Sequence, residues 1–236
     1  MNSPLTIGIV GGMSPESTVT YYQYIVRRHQ AEFHDHAYPR VIIASVSFQQ
    51  YMDWQHQGDW AAIGRGLQRE FDGLAAAGAD FSLLSTNTMH KALPDVSHRV
   101  PILTIFSAVA AEASRLGWET LGLTGTMFTM TEGFYRAALE KAGLNIVLPD
   151  TKDRESINRI IYDELIEGTV ATRSLEEFRN IRKRLMGQGA DAVLLGCTEL
   201  QMLVPQDDRT TPVLDSTKAH ADMAWRIAVG KEPMPA

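Results

Sequence analysis

The chain has 236 residues, of which 44% are hydrophobic and 21% are charged, and its formal net charge is −6. This length and composition are typical of a globular protein with a substantial core, and they argue against disorder. The negative balance, without a basic stripe, argues against a nucleic-acid binder. We therefore expect the partners to be small molecules.

The amino terminus and the cysteine content predict where in the cell the protein resides. No basic region followed by an apolar stretch opens the chain, so no signal peptide is predicted. No run of about 20 apolar residues predicts a membrane span. A single cysteine, Cys197, cannot form an internal disulfide and fits a reducing environment. We expect a cytoplasmic protein that binds no membrane.

The first half of the chain alternates predicted strands and helices. Strands are predicted at residues 6–10, 41–48 and 81–85 and at Ile102, and helices at about residues 15–32 and 60–77. Ser14, Pro15 and Glu16 supply an N-cap hydroxyl, a proline at N1 and an acid in the first turn, which fix the start of the first helix. Gly78 ends the second helix.

The second half repeats this order. Strands are predicted at residues 120–124, 145–148 and 192–195, and helices at about 131–142, 157–166, 175–187 and 216–229. Prolines and glycines do not cluster near residue 114, so no flexible linker is predicted there. We expect an N-terminal αβ lobe at 1–114, a C-terminal αβ lobe at 115–215 and a closing helix within 216–236.

An internal repeat supports this division. The segment 78–88 matches 189–199 at an offset of 111 (197 − 86), and 101–104 matches 212–215 at the same offset. The segment 8–13 matches 122–127 at an offset of 114 (122 − 8). A repeat of this length predicts two similar αβ subdomains, each with a mainly parallel sheet flanked by helices.

The repeat places Cys197 opposite Thr86, each at the carboxyl end of a predicted buried strand. Open α/β sheets bind ligands at such strand ends. Two halves facing one another would place a thiol and a hydroxyl on opposite sides of one pocket, which suggests proton transfer at a carbon. A lone cysteine is also commonly a small buried hydrophobe. A helix N-terminus after Cys197 would lower the thiol pKa from about 8.5 toward neutrality.

The residues around these strand ends offer hydrogen-bond donors. Thr86, Asn87 and Thr88 can form a turn and an N-cap, and they can also hold a ligand carboxylate with neutral groups. The backbone N–H groups at 11–14 and 125–127 are further candidates for that carboxylate. His90 is interpreted as a structural or supporting residue, because the sequence gives it no partner.

The spacing of the candidate residues argues against a dinucleotide-binding site and against a metal site. The glycine-rich turn fails the dinucleotide pattern, because the positions counted from Gly8 hold Val10 and Met13 where glycines are required. His34, Asp35 and His36 lack the helical spacing or cysteine pair of a metal site, so a solvated loop is favoured. We expect no metal and no cofactor.

Three segments, 8–18, 86–90 and 195–199, together resemble the aspartate/glutamate racemase family over nearly the whole chain. The resemblance is greatest to the bacterial branch specific for L-aspartate and L-glutamate. It implies a cofactor-independent homodimeric enzyme of two pseudo-symmetric lobes, with the active site between them and one acid/base residue on each face of the substrate α-carbon.

The resemblance also implies roles for particular residues. Most members use two cysteines; here Cys197 matches the second, and Thr86 replaces the first. The positions that contact substrate in the branch are Met13, Gln55, Asn87, Thr88 and Thr198. By the same analogy, Cys197 acts on the L-isomer and protonation comes from the side of Thr86.

Two alternatives to racemisation of L-glutamate or L-aspartate stay open. A decarboxylase of disubstituted malonates keeps only the second cysteine and protonates one face. A binding protein that has lost its first thiol would hold an amino acid without exchanging its α-proton.

Overall fold

The computed structural model describes residues 3–97, 99–204 and 211–235. The chain forms two compact units, Met1–Ile105 with Thr217–Ala236, and Phe106–Ser216. The units divide where helix α4 (Ile105–Leu116) begins, whereas the boundary predicted from the sequence, after residue 114, lies inside that helix. The C-terminal segment, predicted as a separate closing element, belongs to the first unit.

The first unit contains one parallel sheet. Its strands are β1 (Ile7–Gly11), β2 (Val41–Ser45), β3 (Phe81–Leu84) and β4 (Ile102–Leu103), in the spatial order β2-β1-β3-β4. Its helices are α1 (Pro15–Phe33), α2 (Phe48–His56) and α3 (Trp60–Ala76), together with the C-terminal helix α9 (Ser216–Ala228) from its second residue on. The strand predicted at 41–48 ends at Ser45, and its last predicted residue begins α2.

The second unit repeats this topology. Its strands are β5 (Thr120–Thr124), β6 (Asn145–Val147), β7 (Ala192–Leu195) and β8 (Val213–Asp215), in the order β6-β5-β7-β8 and all parallel. Its helices are α4, α5 (Met127–Thr131), α6 (Phe134–Lys141), α7 (Thr151–Ile160) and α8 (Thr172–Gly187), with a π-helical segment at Ile161–Leu165. The matching strand orders confirm the predicted α/β class with two similar parallel sheets.

Each unit has its own hydrophobic core on its sheet. In the first unit, Val10 and Leu84 pack with Leu67 and Phe71 of α3. In the second unit, Val193 and Leu195 lie in a cluster with α7 and α8 side chains such as Ile157. Strands buried on both faces explain the continuous apolar runs of the sequence.

The helix boundaries follow from local chemistry. Ser14 is the N-cap of α1 and accepts a hydrogen bond from the Ser17 N–H at 3.3 Å, as the sequence predicts. The helix predicted at 131–142 corresponds to α6, which begins later, after Gly133, because this glycine has φ +74°, a left-handed conformation that glycine adopts readily. The short helix α5 before it is not predicted from the sequence. Within the described residues, no helix is long and apolar enough to cross a membrane.

Candidate active site

Cys197 lies two residues beyond β7, where a 3₁₀ helix, Thr198–Leu203, begins. Its thiol donates a hydrogen bond to Oε2 of Glu199 across 2.9 Å. The Thr198 hydroxyl donates to the same oxygen at 2.7 Å. All three residues are half-buried. A thiol, a hydroxyl and a carboxylate therefore share one hydrogen-bonded cluster at the carboxyl end of the second sheet.

The pKa of the Cys197 thiol is raised well above its usual value. Burial is the main cause, and the negative charge of Glu199 and the thiol's hydrogen bond to that carboxylate add to it. The backbone N–H groups of Thr198 and Glu199 act in the opposite direction, as the sequence analysis expected from a helix start, but their effect is smaller. The prediction that the pKa of the Cys197 thiol falls toward neutrality is therefore wrong. Cys197 rests as a protonated thiol beside an acceptor.

Tyr162 is a neighbour of this cluster that the sequence does not reveal. It lies in the π-helical segment Ile161–Leu165, and its side chain is half exposed. Its pKa is raised by burial and, to a smaller extent, by the charges of Cys197 and Glu199. No sequence signal separates this tyrosine from an ordinary helical surface residue, because its placement depends on how the helix after α7 packs.

Buried hydrogen bonds support the strand end that carries Cys197. The Thr124 hydroxyl donates to the carbonyl of Leu194 at 2.8 Å, and the Gly196 N–H donates to the Thr124 carbonyl at 2.8 Å. A Cβ on Gly196 would lie 2.7 Å from that same carbonyl oxygen. This close approach requires glycine immediately before the cysteine.

Thr86 occupies the corresponding place in the first unit, two residues beyond β3. The preceding Ser85 donates through its backbone N–H and its hydroxyl to the Val10 carbonyl, at 2.9 Å and 3.2 Å, which fixes the strand end against β1. Thr86 is half-buried, and its hydroxyl makes no hydrogen bond to another described residue. The hydroxyl is therefore available to a ligand.

The other predicted contact residues fall into two groups. Met13, which is buried, and Asn87 and Thr88 follow β1 and β3 at the carboxyl edge of the first sheet, while Gln55 lies in α2 and is half-buried. Thr198 lies beside Cys197 in the second unit. Substrate binding by these residues stays a prediction.

Two of the backbone donors proposed from the sequence already have partners. The Gly12 N–H donates to the Thr18 hydroxyl at 2.8 Å, and the Met127 N–H donates to Oδ1 of Asn158 at 2.7 Å. Each therefore stabilises its own loop and helix start. In the described part of the chain, no group of three or more His, Cys, Asp or Glu side chains is arranged to hold a metal ion.

Comparison with known proteins decides the family. The model of the Asp/Glu/Hydantoin racemase family matches residues 10–224. This chain belongs to that family. It is an isomerase of the amino-acid racemase class, with the two-sheet α/β fold that the resemblance implied.

Two solved structures are similar over nearly their whole length. A candidate Asp/Glu racemase from Yersinia pestis is 38% identical, with a TM-score of 0.90 and coverage of 95% of this chain and 99% of that one. An aspartate racemase homologue from Pyrococcus horikoshii OT3 is 34% identical, with a TM-score of 0.83 and the same coverage. The broad specificity amino-acid racemase RacX of Bacillus subtilis strain 168 is 24% identical over 221 residues, which cover 89% of this chain and 92% of that protein.

Proposed function

We propose that this racemase interconverts the enantiomers of an acidic amino acid, glutamate or aspartate, without a cofactor. The observation that carries the proposal is the cluster in which the Cys197 thiol donates to Glu199 across 2.9 Å at a sheet's carboxyl end. The names of the Yersinia and Pyrococcus relatives support an acidic substrate. Cys197 and Thr86 are the proposed acid/base residues.

The raised pKa of Cys197 sets the order of the proton transfers. A protonated thiol cannot take a proton, so it must first pass its own to Glu199, the carboxylate already hydrogen-bonded to it. The resulting thiolate breaks the Cα–H bond of the L-substrate and becomes a thiol again, leaving a carbanion. Glu199 returns its proton to solvent when the turnover ends.

The second half of the reaction uses Thr86. Its hydroxyl gives a proton to the opposite face of the carbanion, forming the new Cα–H bond, and recovers a proton from water. A hydroxyl is a weak base near neutral pH, so it delivers a proton to a carbanion more readily than it removes one from carbon. Neutral donors at Asn87 and Thr88 are proposed to hold the substrate carboxylates, where hydrogen bonds stabilise the developing charge. Thr198, whose hydroxyl donates to Glu199, is proposed to contact the substrate beside Cys197.

The protein is proposed to act in the cytoplasm as a homodimer.

Proton NMR in D₂O tests the proposal. The purified enzyme is incubated without cofactor with L-glutamate and, separately, L-aspartate, while the α-proton signal is followed and the enantiomers are separated on a chiral column. We expect the α-proton signal to fall and the D-isomer to appear. Loss of the signal with retained L-configuration would limit the chemistry to the Cys197 face.

An unchanged signal with both amino acids would contradict the proposal. Disubstituted malonates would then be assayed for release of carbon dioxide, which would indicate a decarboxylase. Tight binding of glutamate or aspartate without any α-proton exchange would instead indicate an amino-acid binding role.

A further inference from the structure

Three buried side chains of the first unit lie in contact beside Thr86, joined by hydrogen bonds and one ring contact. Tyr21, His90 and His220 are at most 2% exposed. The Tyr21 hydroxyl and Nδ1 of His220 are 2.8 Å apart, and the two imidazole rings meet edge to face with their centroids separated by 5.9 Å. Nδ1 of His90 lies 2.7 Å from the Thr86 carbonyl oxygen. The proposed proton donor is thus held through its backbone.

Backbone partners determine where the ring hydrogens lie. Nε2 of His90 is 3.0 Å from the Ile105 N–H, which can only donate, so Nε2 accepts and the ring hydrogen is on Nδ1. Nδ1–H therefore donates to the Thr86 carbonyl. By the same reasoning, Nε2–H of His220 donates to the Leu103 carbonyl at 3.0 Å, and Nδ1 of His220 accepts from Tyr21.

Both rings are neutral in this arrangement. Burial lowers the pKa of His90 to about 4, against the smaller opposing effect of its backbone hydrogen bonds. Burial and the neighbouring His90 lower the pKa of His220 to about 3. Protonation of His90 would place a hydrogen on Nε2, facing the Ile105 N–H, and would break that bond.

We propose that His90 is a positioning residue for Thr86, with its neutral imidazole fixing the Thr86 carbonyl and thereby the direction of the Thr86 hydroxyl. The proposal rests on the proposed function, in which Thr86 delivers the second proton. The geometry separates the two parts of the threonine: its backbone is held by a buried donor, and its hydroxyl has no partner among the described residues. A displacement of a reacting group by about 1 Å can lower the rate by as much as about 10²-fold.

His90 also stabilises the fold through its bond to the Ile105 N–H. Two substitutions separate this structural role from the positioning of Thr86. His90→Asn keeps an amide N–H near the place of Nδ1, which preserves the bond to Thr86 and loses the bond to Ile105. His90→Gln keeps an amide oxygen near the place of Nε2, which preserves the bond to Ile105 and loses the bond to Thr86. Tyr21→Phe is the matched control, because it removes a buried hydrogen bond of the same network that does not involve Thr86.

Racemisation kinetics and thermal unfolding of these variants test the proposal. We expect His90→Gln to lower kcat about ten-fold or more with less than about a two-fold change in KM. His90→Asn should retain more of kcat than His90→Gln but unfold at a lower temperature. Tyr21→Phe should lose stability and keep kcat. Equal losses of kcat in the Asn and Gln variants, in proportion to lost stability, would overturn the proposal.

A double-variant comparison excludes a merely structural role. If His90 acts through the Thr86 hydroxyl, His90→Gln should lower kcat little in a Thr86→Ala background, because that hydroxyl is already gone. A loss as large as in the wild-type background would reject the positioning role. Nitrogen NMR of the wild-type imidazole gives an answer independent of catalysis: hydrogen on Nδ1 of His90 is expected, and hydrogen on Nε2 would refute the proposal. Absence of exchange by the wild-type enzyme would instead refute the proposed function.

Discussion

The Cys197 thiol donates a hydrogen bond to the Glu199 carboxylate across 2.9 Å, two residues further along the chain. This bond stabilises the protonated thiol and supplies the group that can accept its proton. In the proposed mechanism, the carboxylate that raises the thiol pKa is also the group that accepts the thiol proton when the thiolate forms.

Glu199→Gln should change alkylation and catalysis in opposite directions. Removal of the negative charge lowers the thiol pKa, so iodoacetamide should modify Cys197 faster at pH 8. Loss of the proton acceptor should lower racemisation by about 10²-fold. Glu140→Gln, which removes an exposed carboxylate paired with Arg136, is the control. Parallel changes in the two rates would contradict the assigned role of Glu199.

Cys197→Ser should abolish α-proton exchange while preserving the fold, because the substitution is nearly isosteric. A serine hydroxyl is far less acidic than a thiol, so we expect a loss of about 10²–10⁴-fold, measured by NMR in D₂O. An unchanged circular dichroism spectrum and unfolding temperature would establish that the loss is chemical. Retained exchange would remove Cys197 from the mechanism.

The raised thiol pKa also predicts a stability difference at high pH. The unfolded chain loses the thiol proton near the ordinary value of 9.0, and the folded protein holds it to higher pH. The stabilising contribution is therefore complete below pH 9.0 and is lost as the pH rises toward the folded pKa. Wild-type stability should fall more steeply than that of Cys197→Ser in urea titrations between pH 8 and pH 10. Parallel curves would contradict the raised pKa.

Thr86→Cys should increase kcat for the D-isomer about ten-fold or more, because a thiol removes a proton from carbon more readily than a hydroxyl does. Enantiomers have equal free energy in water, so kcat/KM must be equal in the two directions for the wild type and for the variant. Progress curves from pure L- and D-glutamate check both statements. Thr131→Cys introduces a thiol at an exposed threonine at the end of α5 and should give no increase. A similar gain at residue 131 would argue against Thr86 as the group at the α-carbon.

The depressed histidine pKa values predict a loss of stability in acid. His90 has a folded pKa of about 4, below its unfolded value of 6.5, so its contribution to stability is complete above pH 6.5 and is lost as the pH falls toward 4. Wild-type protein should lose about 2 kcal/mol more between pH 7 and pH 5 than His90→Gln, measured by urea unfolding. Equal slopes would show that folding does not lower the pKa of His90.

Much of this organisation follows from local sequence. Apolar runs predict the strands of the two sheets, and caps such as Ser14 before Pro15 predict helix starts. Both signals depend only on residues close together in the chain. The repeat that aligns Thr86 with Cys197 places both residues at strand ends from residue order alone. The sequence patterns predict neither α4 nor the short helix α5, and they place the start of α6 three residues too early, because these boundaries depend on packing and on the turn at Gly133.

The pKa shifts of the site residues could be predicted only from the tertiary structure. A helix start after Cys197 predicts a lowered thiol pKa, but burial and Glu199 raise that pKa, and neither effect can be read from residue order. His90 had no visible partner in the sequence, because Ile105 is 15 residues away and His220 comes from the last helix. Sequence determined which chemical groups reach the sheet edges. Folding decided which of them are desolvated together, and that proximity sets their protonation.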